Sequence, residues 1–248
     1  MLLQDRTAVV FGGGGFMGGA IARAFAKQGA SVFLAGRTPE KLQAVADDIR
    51  EAGGTAESAT VDAHDAAAVQ GYLGHIIDTA GRLDVSVNTV NPNEVQGIPL
   101  VDMSLPDFLT PVTESARTNF LTATASARRM IEQGSGVILT LSSSAARESG
   151  PLMGGFSLAC AAVECLTRTL AAEVGRHGVR VVAIRPNFTP DTMRGADPAP
   201  FQDLVDGTAL GRLPRLAEVA DTAVFAASDG AGAITGAVLN LTCGAIAD

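Results

Sequence analysis

Residues 7–40 read "TAVVFGGGGFMGGAIARAFAKQGASVFLAGRTPE". A short apolar run meets four consecutive glycines, an amphipathic stretch follows, and a second apolar run closes the segment. Glycine permits a tight turn, and its missing side chain lets backbone amides approach a pyrophosphate at the positive end of a helix. Gly13, Gly15 and Gly18 fit GxGxxG, while Gly12, Gly15 and Gly18 fit GxxGxxG. Such spacing is weak on its own. Here a strand precedes it, a helix follows, and a second strand comes next, as a dinucleotide-binding unit requires. The competing reading is a glycine-rich turn that only packs a helix on a sheet. About 20 residues past the glycines, an acidic residue usually meets a free ribose 2′-hydroxyl, whereas arginine accommodates a 2′-phosphate. Gly36 stands at the acidic position and Arg37 follows it, which favours NADP(H) over NAD(H). The plainer alternative is a solvated arginine at a helix start.

Outward from this segment, apolar stretches alternate with helical ones. Strands are expected at 7–11, 31–35, 55–61, 84–88, 136–142, 179–185 and 237–241, and helices near 17–28, 39–52, 65–80, 112–133, 152–175 and 216–228. Val/Ile/Leu runs without alternation suit strands buried on both faces of a parallel sheet. Strand–helix alternation implies right-handed crossovers. The expectation is an α/β fold, a Rossmann-type doubly wound sheet of seven mainly parallel strands with helices on both faces. Thr38-Pro39 reads as a capping hydroxyl followed by proline at the first helical position. No repeat or linker divides residues 1–248. The irregular stretch "PNFTPDTMRGADPAP" (186–200) reads as a mobile substrate loop, reaching to about 207, over a pocket of a single domain.

The bulk numbers agree with one globular core: 248 residues, 47% apolar and 18% charged. A net charge of -8, with no basic stretch, argues against nucleic acid as a partner. No uninterrupted apolar run reaches the ~18–20 residues of a membrane span. The N-terminus runs straight into a strand without a signal-peptide pattern. Cys160, Cys165 and Cys243 form no CxxC and suggest neither a disulfide scaffold nor a zinc site. A reduced, cytoplasmic setting fits, as does a small-molecule substrate.

Over nearly its whole length the chain resembles the short-chain dehydrogenase/reductase family. "VVFGGGGFMGGAIARAFA" is similar to the family's nucleotide loop, although compact members usually carry glycine where Phe16 stands. "TVDAHD" resembles the turn in which Asp62 would hydrogen-bond the adenine. "LDVSVNTVN" stands where the family writes LDVLVNNAG, keeping Asn88 but departing at Thr89, Val90 and Asn91. "RTNFLTATASARRM" aligns Asn119 with the asparagine that positions a water in the proton relay. "GVILTLSSSAA" resembles the strand ending in the active-site serine, with Ser143 the first match and Ser142 the second. "HGVRVVAIRPN" is similar to HGIRVNAIAPG, with Asn187 in place of glycine, and Cys243 stands where another glycine is usual. Thr192 matches a threonine that reaches the nicotinamide amide. The resemblance implies cofactor contacts from Gly12, Gly14, Gly15, Phe16, Met17, Gly18, Arg37, Asp62, Ala63, Asn88, Pro186 and Thr192. It also implies catalysis by Ser143 and Asn119, and assembly as a homodimer or homotetramer through the helices at 112–133 and 152–175.

One departure bears on function. The family follows its serine with YxxxK; this chain reads "FSLAC", with Phe156 for tyrosine and Cys160 for lysine. Residues four apart share a helical face. The pair works because the ammonium lowers the tyrosine pKa towards working pH. Phe156 has no proton to give, and Cys160 cannot supply the charge.

Replacements are few. Tyr72, the only tyrosine, lies in a distant helix; His64, His75 and His177 read as surface residues; Cys160 reads as a small buried helix residue rather than a nucleophile. Arg147 and Glu148, in the loop after Ser143, are the nearest polar side chains, though they read more simply as solvated. Two expectations follow: an NADP(H)-dependent oxidoreductase with an atypical site acting on a carbonyl or hydroxyl group, or a catalytically silent NADP(H)-binding homologue serving as sensor or partner subunit.

Overall fold

The computed structural model describes residues 1–148, 150–193 and 201–247. Its seven strands are β1 (Thr7–Phe11), β2 (Ser31–Gly36), β3 (Thr55–Thr60), β4 (Val85–Asn88), β5 (Gly136–Leu141), β6 (Val179–Pro186) and β7 (Val238–Leu241). They form one sheet in the order β3-β2-β1-β4-β5-β6-β7. Every pairing is parallel, where the sequence suggested only a mainly parallel sheet. The helices are α1 (Phe16–Lys27), α2 (Pro39–Glu51), α3 (Ala66–Ala80), α4 (Leu105–Gln133), α5 (Gly155–Val174), α6 (Gln202–Asp206) and α7 (Leu216–Ala227).

Alternate residues of a strand face opposite sides of the sheet, and the chain fills both. Ala8 and Val10 of β1 pack with Ile21 and Phe25 of α1, Leu42 and Ile49 of α2 and Val219 of α7. Val9 and Phe11 face the other way, towards Val69 and Ile76 of α3, Met130 of α4 and Leu170 of α5. This double burial is why the strands carry no polar alternation. The order reverses between β1 and β4, and a crevice forms there at the carboxyl ends of the strands.

Several boundaries differ from those read in the sequence. α4 begins at Leu105, not 112, because Ser104 caps it by accepting from the Asp107 amide at 3.2 Å. Pro106 occupies the first turn, where no amide bond is forfeited. Pro111, which reads as a breaker, lies inside the helix and packs against Gly155 of α5. Thr38 does precede α2, but its hydroxyl makes no capping bond. α5 is long and apolar enough to cross a membrane by length and composition, yet it packs as a core helix against α4, β5 and β6. Of the expected 186–207 loop, 190–192 form one 3-10 turn and 202–206 form α6, while 194–200 lie outside the described residues.

Candidate active site

Gly12 leaves β1 with φ +80°, and a Cβ there would lie 2.7 Å from the Thr89 backbone and hydroxyl. Gly18 is closed off in the same way, between the Gly12 carbonyl and Thr89 Oγ1. Thr89, a departure from the family pattern, is therefore a packing partner of the glycine turn, and its hydroxyl donates to Phe11 O at 2.8 Å. Gly13 packs on Leu34 of β2. Gly15 caps α1 without any side-chain bond of its own.

Gly12, Gly14 and Gly15 line a cleft of roughly 280 Å³. Its other walls carry Arg37, Thr38 and Lys41 on one side, Asp62, Ala63 and His64 on another, and Thr89, Val90 and Asn91 at its far end. A helix start without a side-chain cap, glycines with no room for a side chain and two cations lining the same cleft fit a phosphate-bearing dinucleotide. Lys41 escaped the sequence reading; its signal was a second cation four residues after Arg37, in the first turn of α2. Asp62 is held as a carboxylate: the His64 amide (3.0 Å) and then the His64 ring (2.8 Å) lower its pKa. His64 is not the surface histidine it resembled. Its side chain is 13% exposed, and Nε2 lies 2.5 Å from Glu114 Oε2.

The remaining candidates lie along the carboxyl ends of β4, β5 and β6. Asn88 joins β4 to α4 through Thr122 (3.0 Å) and turns the chain by accepting from the Val90 amide (2.9 Å). Asn119 donates to Ser115 O at 3.0 Å, while its buried Oδ1 has no partner. Ser142 is buried and donates to Glu164 Oε1 at 2.8 Å. Ser143 is half-buried; its Oγ accepts from the Ala145 amide at 3.3 Å, which leaves its own proton to give. Ser143 is thus the serine with an uncommitted donor. Thr192 is half-buried, and its hydroxyl bonds Thr189 O at 2.8 Å. Phe16, Met17 and Gly18 belong to the first turn of α1 rather than to the cleft lining, and Pro186 ends β6.

Cys160 is 5% exposed, and burial, then the charges of Glu164 and Glu94, push its thiol up to about 12. That is a neutral thiol at any working pH, not a nucleophile. Beneath it lies a pair the sequence reading missed. Glu164 of α5 accepts from Arg185 Nε at 2.7 Å and Nη2 at 2.9 Å, with side chains 5% and 2% exposed. The signal was an arginine within the apolar run Val181–Ile184 and Pro186 of β6. Tyr72 is far from this chemistry: its hydroxyl donates to Leu34 O at 3.1 Å, and burial pushes its pKa well up. Arg147 is exposed and Glu148 half-buried at the end of the turn that follows Ser143.

Comparison with known proteins is consistent with this geometry. Residues 16–245 match the family model described as Enoyl-(Acyl carrier protein) reductase. The chain is 32% identical to the short-chain reductase protein NovJ of Streptomyces niveus, over 97% of this chain and 94% of that one. It is also 32% identical to the (2S)-[(R)-hydroxy(phenyl)methyl]succinyl-CoA dehydrogenase subunit BbsD of Thauera aromatica, over 98% and 97%. A short-chain type dehydrogenase/reductase structure from Mycobacterium ulcerans superposes with a TM-score of 0.92 at 26% identity, over 99% and 91% of the two chains.

Proposed function

The chain belongs to the short-chain dehydrogenase/reductase family, and on that footing we propose that it is an NADP(H)-dependent oxidoreductase for a carbonyl or hydroxyl group, with an atypical site. The observation that carries the cofactor assignment is the cleft rim, where Arg37 and Lys41 flank Gly14 and Gly36 leaves no carboxylate to repel a 2′-phosphate. The amides of the glycine turn hold the pyrophosphate, and Asp62 accepts from the adenine. A nicotinamide bound at the far end supplies or takes a hydride. Ser143 donates to the substrate oxygen.

Calorimetry tests the cofactor. NADPH is expected to bind at least about tenfold tighter than NADH, as the loss of a charge-assisted pair implies. Arg37→Ala and Lys41→Ala should each narrow the gap. Equal affinities for the two cofactors in the parent refute the assignment.

Phe156 and Cys160 favour a second reading, a silent NADP(H)-binding partner of a catalytic subunit, and one relative is itself named a subunit. Binding of NADPH without turnover across a panel of carbonyls and alcohols would select it. Either reading includes self-association. Leu109 and Phe120 lie three turns apart on α4 and are 42% and 54% exposed, and Leu158 on α5 is 49% exposed. Such apolar side chains on long neighbouring helices suit a two-fold interface, hence a dimer or tetramer. Three free thiols suit a reducing, cytoplasmic compartment.

A further inference from the structure

Asp62 and His64 share the turn between β3 and α3, and both line the cleft. Two donors converge on one carboxylate oxygen. The His64 amide at 3.0 Å and the His64 ring Nδ1 at 2.8 Å both meet Asp62 Oδ1. A carboxylate only accepts, so Nδ1 carries the proton of its bond. Among the described residues, Asp62 Oδ2 takes no hydrogen bond, and the side chain is 49% exposed, so this oxygen stays open to a ligand in the cleft. The ring is itself held by α4. Its Nε2 lies 2.5 Å from Glu114 Oε2, and Arg117 Nε donates to His64 O at 3.0 Å. The Asp65 amide donates to Asp62 O at 3.0 Å and closes the turn. Asp62 is thus oriented by His64, and His64 by α4.

We propose that His64 is a positioning residue that sets the base specificity of the cleft, by engaging Asp62 Oδ1 and leaving Oδ2 to accept from the exocyclic amine of adenine. This rests on the cofactor assignment above. Adenine donates from its 6-amino group, whereas hypoxanthine carries a carbonyl there and only accepts, which would set two acceptors face to face. Without the ring, Asp62 would keep only the bond from the His64 amide. A half-exposed carboxylate held by one bond is free to turn towards water. The amine would then gain little over its own hydration, and the preference for adenine would fade. The 2′-phosphate is common to both forms of the dinucleotide, so Arg37 and Lys41 act on them alike. His64 therefore acts on the base through Asp62, and its effect is read in the choice between bases.

The test titrates the full chain with NADPH and with its deamino analogue, nicotinamide hypoxanthine dinucleotide phosphate, by calorimetry. The parent should bind NADPH at least about tenfold tighter, the contribution of one hydrogen bond to a charged group. His64→Ala and His64→Leu remove the donor, the second without leaving a gap, and each should bring the ratio below about threefold. His64→Asn sets an amide nitrogen about where Nδ1 stands and should keep the ratio within about threefold of the parent, a rescue that packing alone would not give. The full parental ratio in His64→Ala or His64→Leu overturns the proposal, as does a His64→Asn variant that discriminates no better than they do. A parent that binds both dinucleotides equally also overturns it and leaves the oxidoreductase reading standing. A parent that binds neither removes the proposed function itself.

Discussion

Replacing Arg185 with methionine removes the guanidinium that faces Glu164 and leaves a carboxylate, 5% exposed, without its counter-charge. Glu164 would forfeit charge-assisted bonds of 2.7 and 2.9 Å and retain only the Ser142 hydroxyl at 2.8 Å. Breaking a buried pair from one side costs about 3–5 kcal/mol. For a domain of this size, roughly 2–4 °C of midpoint accompanies each kcal/mol, so Arg185→Met should melt about 6–20 °C below the parent. Exchanging both partners for apolar residues removes two desolvated charges at once and is often neutral or stabilising. Glu164→Met with Arg185→Met should therefore recover to within about 2 kcal/mol of the parent, a double-mutant coupling of at least about 2 kcal/mol. The assay is urea unfolding followed by circular dichroism, at one protein concentration because self-association would shift the midpoint. If Arg185→Met costs under about 1 kcal/mol, or the double variant is no better than the worse single one, the pair is not the coupled unit described here.

Two further outcomes are expected. In a native thiol titration at pH 8, exposed Cys165 should label first while Cys160, with its thiol pushed up to about 12, stays unlabelled until the chain unfolds; mass spectrometry of the labelled peptides decides it. Phe156→Tyr with Cys160→Lys installs a phenol and an ammonium one turn apart on α5, and should reduce an activated ketone with NADPH at least about tenfold faster than the parent, each single variant gaining little; additive singles in an NADPH-absorbance assay would refute this.

The architecture was legible because burial on both faces leaves a direct mark. β1, β2 and β5 read as continuous apolar runs, and the glycine turn follows β1 with no room for side chains at Gly12 and Gly18. The start of α4 was not legible, since Pro111 has the same local signature whether it ends a helix or sits inside one. Thr38 reads as a cap from composition, but whether a hydroxyl reaches an amide is decided by its rotamer. Arg37 was found because its place after β2 is set by the fold; Lys41 joins the same rim only once α2 takes its helical phase. Glu164 and Arg185 are 21 residues apart, on a helix and a strand, and only packing shows that each neutralises the other.

The departures from the family pattern form a connected set. Lysine at position 160 would put an ammonium at a buried position on which the charges of Glu164 and Glu94 already act. With cysteine there, one carboxylate needs a cation from elsewhere, and Arg185 of β6 supplies it with two short bonds. Losing either half alone would leave a buried charge uncompensated, so stability by itself keeps this pair whether or not the site is catalytic. Yet the guanidinium is spent on Glu164, and Ser142 is bound to the same carboxylate. Neither is left to stabilise negative charge on a substrate oxygen. An active enzyme with this charge arrangement should therefore be slow in both directions, because the alkoxide-like transition state that an ammonium or guanidinium would stabilise is shared by reduction of a ketone and oxidation of an alcohol.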